Sequence, residues 1–106
     1  MMKESYYQAK IIKKLERMFP GCLITKLDTD YSQGLPDLLI LWRKRWAVLE
    51  VKPSKSAGVQ PNQDYYIQRL NGMSFAAFIF PENEEEVLSA LQQAFKPPGR
   101  TRISES

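Results

Sequence analysis

From Lys3 to Phe19 the apolar residues Tyr7, Ile11, Leu15 and Met18 recur every three or four positions, the spacing that lines one face of an α-helix, and Pro20-Gly21 ends the pattern. Glu4 precedes Ile11 by two helical turns and so stands in line with the inward stripe, whereas Glu16 points away from it. Cys22 to Leu27 has the composition of a short strand, and Asp28 to Gly34 that of a loop. Leu35 to Trp42 and Trp46 to Lys52 are apolar, β-rich runs joined by Arg43-Lys44-Arg45, which predicts an antiparallel hairpin. Period two then places Asp37, Leu39 and Leu41 on one face of the first strand, and Trp46, Val48, Glu50 and Lys52 on one face of the second. Pro53 to Val59, rich in Ser, Lys and Gly, reads as an exposed, mobile loop. Pro61 suits the first turn of a helix to about Leu70 whose inward face carries Gln63, Tyr66, Ile67 and Leu70. Ser74 to Phe80 is apolar throughout, as in a strand covered on both faces. Asn83 with Glu86 resembles an N-cap pair opening a last helix to about Phe95, which Pro97-Pro98-Gly99 ends.

The predicted order, αβββαβα, implies an α/β fold with a mixed central sheet flanked by helices. The length of 106 residues suits one core, so residues 1–95 are read as a single domain and 96–106 as a basic, flexible tail. The longest apolar run, Leu38 to Trp42, is far too short to cross a bilayer, and the N-terminus lacks the pattern of a secretory signal. No membrane partner is expected, and the location expected is intracellular: cytoplasmic, or the host cytoplasm for a phage-encoded chain.

Side-chain chemistry narrows the choice further. Cys22 is the only cysteine and there is no histidine, which excludes an internal disulfide, Cys or His zinc sites, and Ser-His-Asp or Cys-His catalysis. Any metal must sit on oxygen. The fifteen Lys and Arg against twelve Asp and Glu leave a net charge of +3, which permits a polyanionic partner. The cations gather as Lys10, Lys13, Lys14 and Arg17, as Arg43, Lys44 and Arg45, and as Lys96, Arg100 and Arg102.

Pro36-Asp37 at the start of one strand and Glu50-Val51-Lys52 on its hairpin partner are the sharpest feature. Unpaired buried charge costs several kcal/mol, on the order of what a domain's stability can spare, so three ionisable groups on buried strands call for compensation. A hard divalent cation supplies it. Asp37 and Glu50 offer carboxylate oxygens, the Val51 carbonyl adds a backbone oxygen, and Mg²⁺ fills its other positions with water and phosphate. Lys52 beside the metal can orient or deprotonate a water, or bind the scissile phosphate.

In the motifs K-E-S-Y-Y-Q-A, G-L-P-D-L-L-I-L, L-E-V-K and G-V-Q-P-N-Q-D-Y-Y, which lie between Glu4 and Leu70, the chain resembles the PD-(D/E)XK nucleases, and within them the VRR-NUC and Holliday-junction-resolvase branch of phages and repair proteins. The resemblance implies a restriction-endonuclease-like core in which Asp37 and Glu50 are metal ligands and Lys52 is catalytic. It also implies that Glu4 completes the acidic cluster, with Glu16 as the competing choice, and that Gln63 supports the site, with Gln60 as its competitor. The activity implied is Mg²⁺- or Mn²⁺-dependent endonucleolytic hydrolysis of DNA by metal-activated water, selective for branched DNA such as Holliday junctions, by a homodimer. The alternatives are a nuclease on ordinary duplex or flap DNA within a larger complex, and a non-catalytic DNA-binding module with a nuclease-like fold.

Arg43, Lys44, Arg45 and Lys55 are candidate phosphate contacts of low specificity. Tyr6, Tyr7, Tyr65 and Tyr66, and Trp42 and Trp46 beside the basic turn, are read as packing residues rather than as base-stacking ones.

Overall fold

The elements follow in the expected order: α1 (Glu4–Met18), β1 (Leu23–Lys26), β2 (Leu38–Trp42), β3 (Arg45–Val51), α2 (Gln63–Asn71), β4 (Phe75–Ile79), a 3₁₀ turn (Pro81–Asn83) and α3 (Glu84–Ala94). The computed structural model describes residues 2–28 and 30–97. Most of the expected basic tail, with Arg100 and Arg102, lies outside the described residues. Among the described residues no helix is long and apolar enough to cross a membrane.

One sheet runs β1-β2-β3-β4, with β1, β2 and β3 antiparallel in turn and β4 parallel to β3. The molecule is therefore α/β, a four-stranded mixed sheet flanked by helices. The register pairs Leu38 with Leu49 and Ile40 with Ala47, which turns these residues, with Val51 and Ile79, to one face. There they meet Tyr7, Ile11 and Leu15 of α1 and Val87, Leu88 and Leu91 of α3 in one core. Burying each Leu or Ile there contributes about 1.5–3 kcal/mol. The alternate residues Leu39, Val48 and Glu50 turn to the opposite face, on the side where α2 lies against β4.

Several local expectations are corrected. The hairpin turn is Arg43-Lys44 alone, since Arg45 already pairs with Trp42 in the ladder. Arg43 adopts a left-handed φ of 58°, and its guanidinium lies 4.2 Å from the centre of the Trp42 ring. β2 begins at Leu38 rather than Leu35, because Pro36 has no N–H to give a ladder. α2 begins two residues after Pro61, and Asn62, not Pro61, shapes its entry with a left-handed φ of 71°. Asn83 does not cap α3 with its side chain. It accepts the Phe80 N–H at 2.9 Å and donates to the Phe78 carbonyl at 3.1 Å, closing the 3₁₀ turn instead. β4 is only partly covered, with Ala76 and Ile79 buried and Phe75, Ala77 and Phe78 half-buried. The segment after β3, expected to be loose, is tied down where Gly58 O accepts from Lys52 and the Lys55 N–H reaches Glu82 Oε1 at 3.1 Å.

Candidate active site

Pairing of Leu38 with Leu49 sets the residues before β2 beside the end of β3, so the hairpin itself delivers Asp37 to Glu50-Val51-Lys52. The Val51 N–H donates to both Asp37 carboxylate oxygens, at 3.3 and 3.4 Å, a long and divided bond. The Asp37 carbonyl accepts the Leu27 N–H at 2.9 Å, which fixes this backbone from the β1 side. A strand residue directs its N–H and C=O to the same flank, so the Val51 carbonyl shares the flank of Asp37.

Glu50, Lys52 and Gln63 are the three buried polar residues of the described chain. Gln63 reaches them from the first turn of α2. Its Oε1 accepts from Lys52 Nζ and from the Gln60 N–H, each at 2.8 Å, and its Nε2 donates to Glu50 Oε2 at 2.9 Å. The ammonium on one side and the carboxylate on the other fix which end of the amide faces which. Lys52 Nζ also donates to the Gly58 carbonyl at 3.0 Å and forms an ion pair with Glu50 Oε2 at 3.7 Å.

Electrostatics are unfavourable to the ionised carboxylates. Burial, followed by the charge of Glu50, pushes the Asp37 carboxyl up to about 7, against the pull of the Val51 N–H and Lys52. Burial likewise raises Glu50; Lys52 opposes that rise and Glu4 adds to it. Both carboxylates line a cavity of about 330 Å³ with Glu4, Asp30, Gln33 and Gln63.

This donor set suits a hard divalent cation. Glu50 is helped by Gln63 Nε2, Lys52 and the Asp37 backbone N–H, yet burial still raises its carboxyl; the Asp37 side chain has only its divided bond, and the Val51 carbonyl shares its flank. The cation's charge would offset what burial and mutual repulsion make costly. Among the described residues no three Asp, Glu, His or Cys side chains gather into a metal-holding group, so Glu4 lines the cavity without joining Asp37 and Glu50 as a third close carboxylate.

Of the competing residues, Glu4 lines the cavity, whereas Glu16 is exposed and acts on Cys22. Gln63 holds Lys52 and Glu50 with its side chain, and Gln60 contributes a backbone N–H. Arg43, Lys44 and Arg45 are not brought to the cavity. They sit at the other end of β2 and β3, about 16 Å of strand away at ~3.3 Å per residue. Lys55 is at the near end and exposed. Trp42 packs as expected, its ring centre 5.0 Å from Phe19 and 6.0 Å from Phe95, with its indole N–H on the Pro20 carbonyl at 2.9 Å. Tyr7 is buried and donates to Glu84, but Tyr6 and Tyr65 are exposed, contrary to the packing expected of them.

Sequence reading missed Asp30 and Gln33, which line the cavity from a segment read only as loop. It also missed the role of Gly34, although this residue opens the quoted G-L-P-D. Gly34 has φ 93°, and a Cβ there would lie 2.6 Å from Asn62 Cβ and 2.7 Å from Pro61 O. The loop before Asp37 thus closes directly on the turn before Gln63, a contact between distant segments that left only a glycine as its signal. Comparison with protein-family models, curated proteins and solved structures found no match to the chain.

Proposed function

We propose that the chain is a metal-dependent DNA endonuclease of the PD-(D/E)XK type, with a restriction-endonuclease-like core, acting on branched DNA such as Holliday junctions. The observation that carries this reading is a pair of carboxylates that burial disfavours, the buried Glu50 and the half-buried Asp37, which share an open cavity next to the buried Lys52. Asp37, Glu50 and the Val51 carbonyl would hold Mg²⁺ or Mn²⁺. When bound, the ion supplies Lewis-acid stabilisation of the phosphate and lowers the pKa of water.

Lys52 donates to Gly58 O and Gln63 Oε1 and pairs with Glu50, so its ammonium stands beside Glu50 and Gln63, two residues that line the cavity. Held in this way, the ammonium is fixed before substrate arrives, and its positive charge next to the cavity would stabilise negative charge that grows on the phosphate in the transition state. Gln63 keeps Glu50 and Lys52 at a fixed separation. Glu4, an exposed residue of the cavity lining, adds negative charge that would favour cation entry. Selectivity for branched DNA and action as a homodimer are supported by the resemblance of G-L-P-D-L-L-I-L and L-E-V-K to the resolvase branch, an argument by analogy of fold and motif.

The test compares cleavage of a four-way DNA junction with that of a linear duplex of matching sequence, in Mg²⁺, in Mn²⁺ and with chelator. Metal-dependent, junction-selective cutting is expected from the wild type. Asp37→Ala and Glu50→Ala should lower it by about 10³-fold or more while the fold and phosphate-driven binding persist. Binding without cutting in any metal would replace this reading with a non-catalytic DNA-binding module.

A further inference from the structure

We propose that the exposed basic face of α1 is the track along which a DNA strand lies as it leaves the cavity, an inference that rests on the nuclease reading above. Lys3, Tyr6, Lys10, Lys13 and Arg17 follow one another at alternating steps of three and four residues, so they form one line along α1 and its N-cap. All five are exposed, Tyr6 to 62%, while Tyr7, Ile11 and Leu15 of the same helix are buried in the core. The line begins at the cavity, because Glu4, the first residue of α1, lines it. From Lys3 to Arg17 it extends about 21 Å at ~1.5 Å per residue, which is the length of about six nucleotides of one duplex strand.

The charges on this line have little to do inside the fold beyond a through-space pull of Lys10 on Glu84 and the place of Arg17 in the last turn of α1. Among the described residues the two ion pairs are Lys14 with Glu84 and Lys52 with Glu50, so Lys3, Lys10, Lys13 and Arg17 are unpaired there. Lys10 with Lys13 or Lys14, and Lys13 with Arg17, are like charges at helical-neighbour spacing, which weakens a helix. Lys3 stands at the helix N-terminus, the wrong end for a cation. A row of phosphates turns each of these repulsions into an attraction. Lys10 Nζ lies 6.0 Å from the centre of the Tyr6 ring, which groups a cation with an exposed aromatic face, as single-strand binding surfaces do. A membrane surface fits less well, because the apolar residues of α1 are committed to the core and only Tyr6 is left to insert.

The test measures binding of a four-way DNA junction over a salt series, with Glu50→Ala in every protein so that no substrate is consumed. Lys10→Ala/Lys13→Ala/Arg17→Ala is expected to bind at least tenfold more weakly near physiological salt and to flatten the slope of log affinity against log salt by about 2–3. A control that removes the same charge from scattered exposed sites, Lys26→Ala/Arg69→Ala/Lys96→Ala, is expected to lose less than about threefold. Lys13→Ala alone should flatten the slope by about one. Equal losses in the two triple variants, or none in the α1 variant, overturn the track while wild-type cleavage leaves the nuclease reading standing. Failure of the wild-type chain both to bind and to cut DNA overturns both. Vesicles of phosphatidylserine bound in preference to DNA, with binding lost in the α1 variant, overturn the track in favour of a membrane surface.

Discussion

The β2–β3 hairpin carries charge at both of its ends, under opposite physical conditions. At the turn, Arg43 and Lys44 are exposed and water solvates them; the Arg43 guanidinium lies over the Trp42 ring, which costs little and contributes a little. At the other end Glu50 and Lys52 are buried, and Asp37 is half-buried with a carboxyl pushed up to about 7. Nothing in the packing requires charge there. Apolar residues of similar size would satisfy the sheet better, since burying a charge is repaid only by close partners. Gln63 and Lys52 repay part of it, and the open cavity beside Glu50 and Asp37 leaves room for the rest to come from a ligand. The comparison separates charge that keeps a surface wet from charge held at a cost to stability for the sake of chemistry.

Removing the cation from the buried end should have the largest effect. Lys52→Ala takes away the ion-pair partner of Glu50 and the donor to Gln63 and Gly58. We expect stability at pH 8 to fall by about 3 kcal/mol in urea unfolding, and cleavage to fall by about 10²–10³-fold, with Mn²⁺ binding retained. Unchanged turnover would remove Lys52 from the chemistry.

Much of this contrast is legible in the sequence. Period two places Glu50 and Lys52 on one face, and the pairing of β2 with β3 puts Asp37 beside them. Helical spacing puts Glu4 in line with Tyr7, Ile11 and Leu15, and it does line the cavity. Backbone hydrogen bonding decided what the pattern left open. Pro36 delays β2, and the Arg43-Lys44 turn gives Arg45 to β3. Asp30, Gln33 and Gly34 reach the site through a loop whose path depends on its contact with Asn62, which no local periodicity encodes.

That loop contact supplies the next test. Gly34 and Gly21 both have left-handed φ, 93° and 86°, but a Cβ at Gly21 meets nothing within 4 Å, while one at Gly34 meets Asn62 and Pro61 at under 3 Å. Gly21→Ala should therefore cost about 1 kcal/mol of backbone strain alone, and Gly34→Ala about 2–3 kcal/mol, since the loops must also part. Only Gly34→Ala should lower cleavage, because only it shifts the loop that leads into Asp37. Equal costs in thermal unfolding would mean that the two loops do not hold each other.

Protonation sharpens the comparison from the other side. Unfolded Asp37 titrates near its ordinary value of 3.8 and the folded residue near 7, so the folded chain holds the proton more tightly. Its contribution to stability is full below about pH 4, declines as pH rises towards 7, and is lost above that. Asp37→Asn abolishes this dependence. The metal-free variant should be the more stable protein above pH 7, on the order of 2 kcal/mol once solvent screening is allowed for, with the difference vanishing below pH 4. Millimolar Mg²⁺ should stabilise the wild type and leave the variant unchanged. An advantage for Asp37→Asn that did not vary with pH would mean that charge burial is not its source.

The smallest effect belongs to the turn. Arg43 holds a left-handed φ of 58°, which costs a residue with a Cβ about 1 kcal/mol relative to glycine, while its stacking on Trp42 returns about 0.5–1 kcal/mol at an exposed site. Arg43→Gly trades one for the other, so urea unfolding should move by less than about 0.5 kcal/mol in either direction. Cleavage should also change little, because the residue stands at the far end of the strands from Asp37 and Glu50. A loss approaching that of Lys52→Ala would mean that the two ends of the hairpin are not separate, and that the turn engages the same substrate as the cavity.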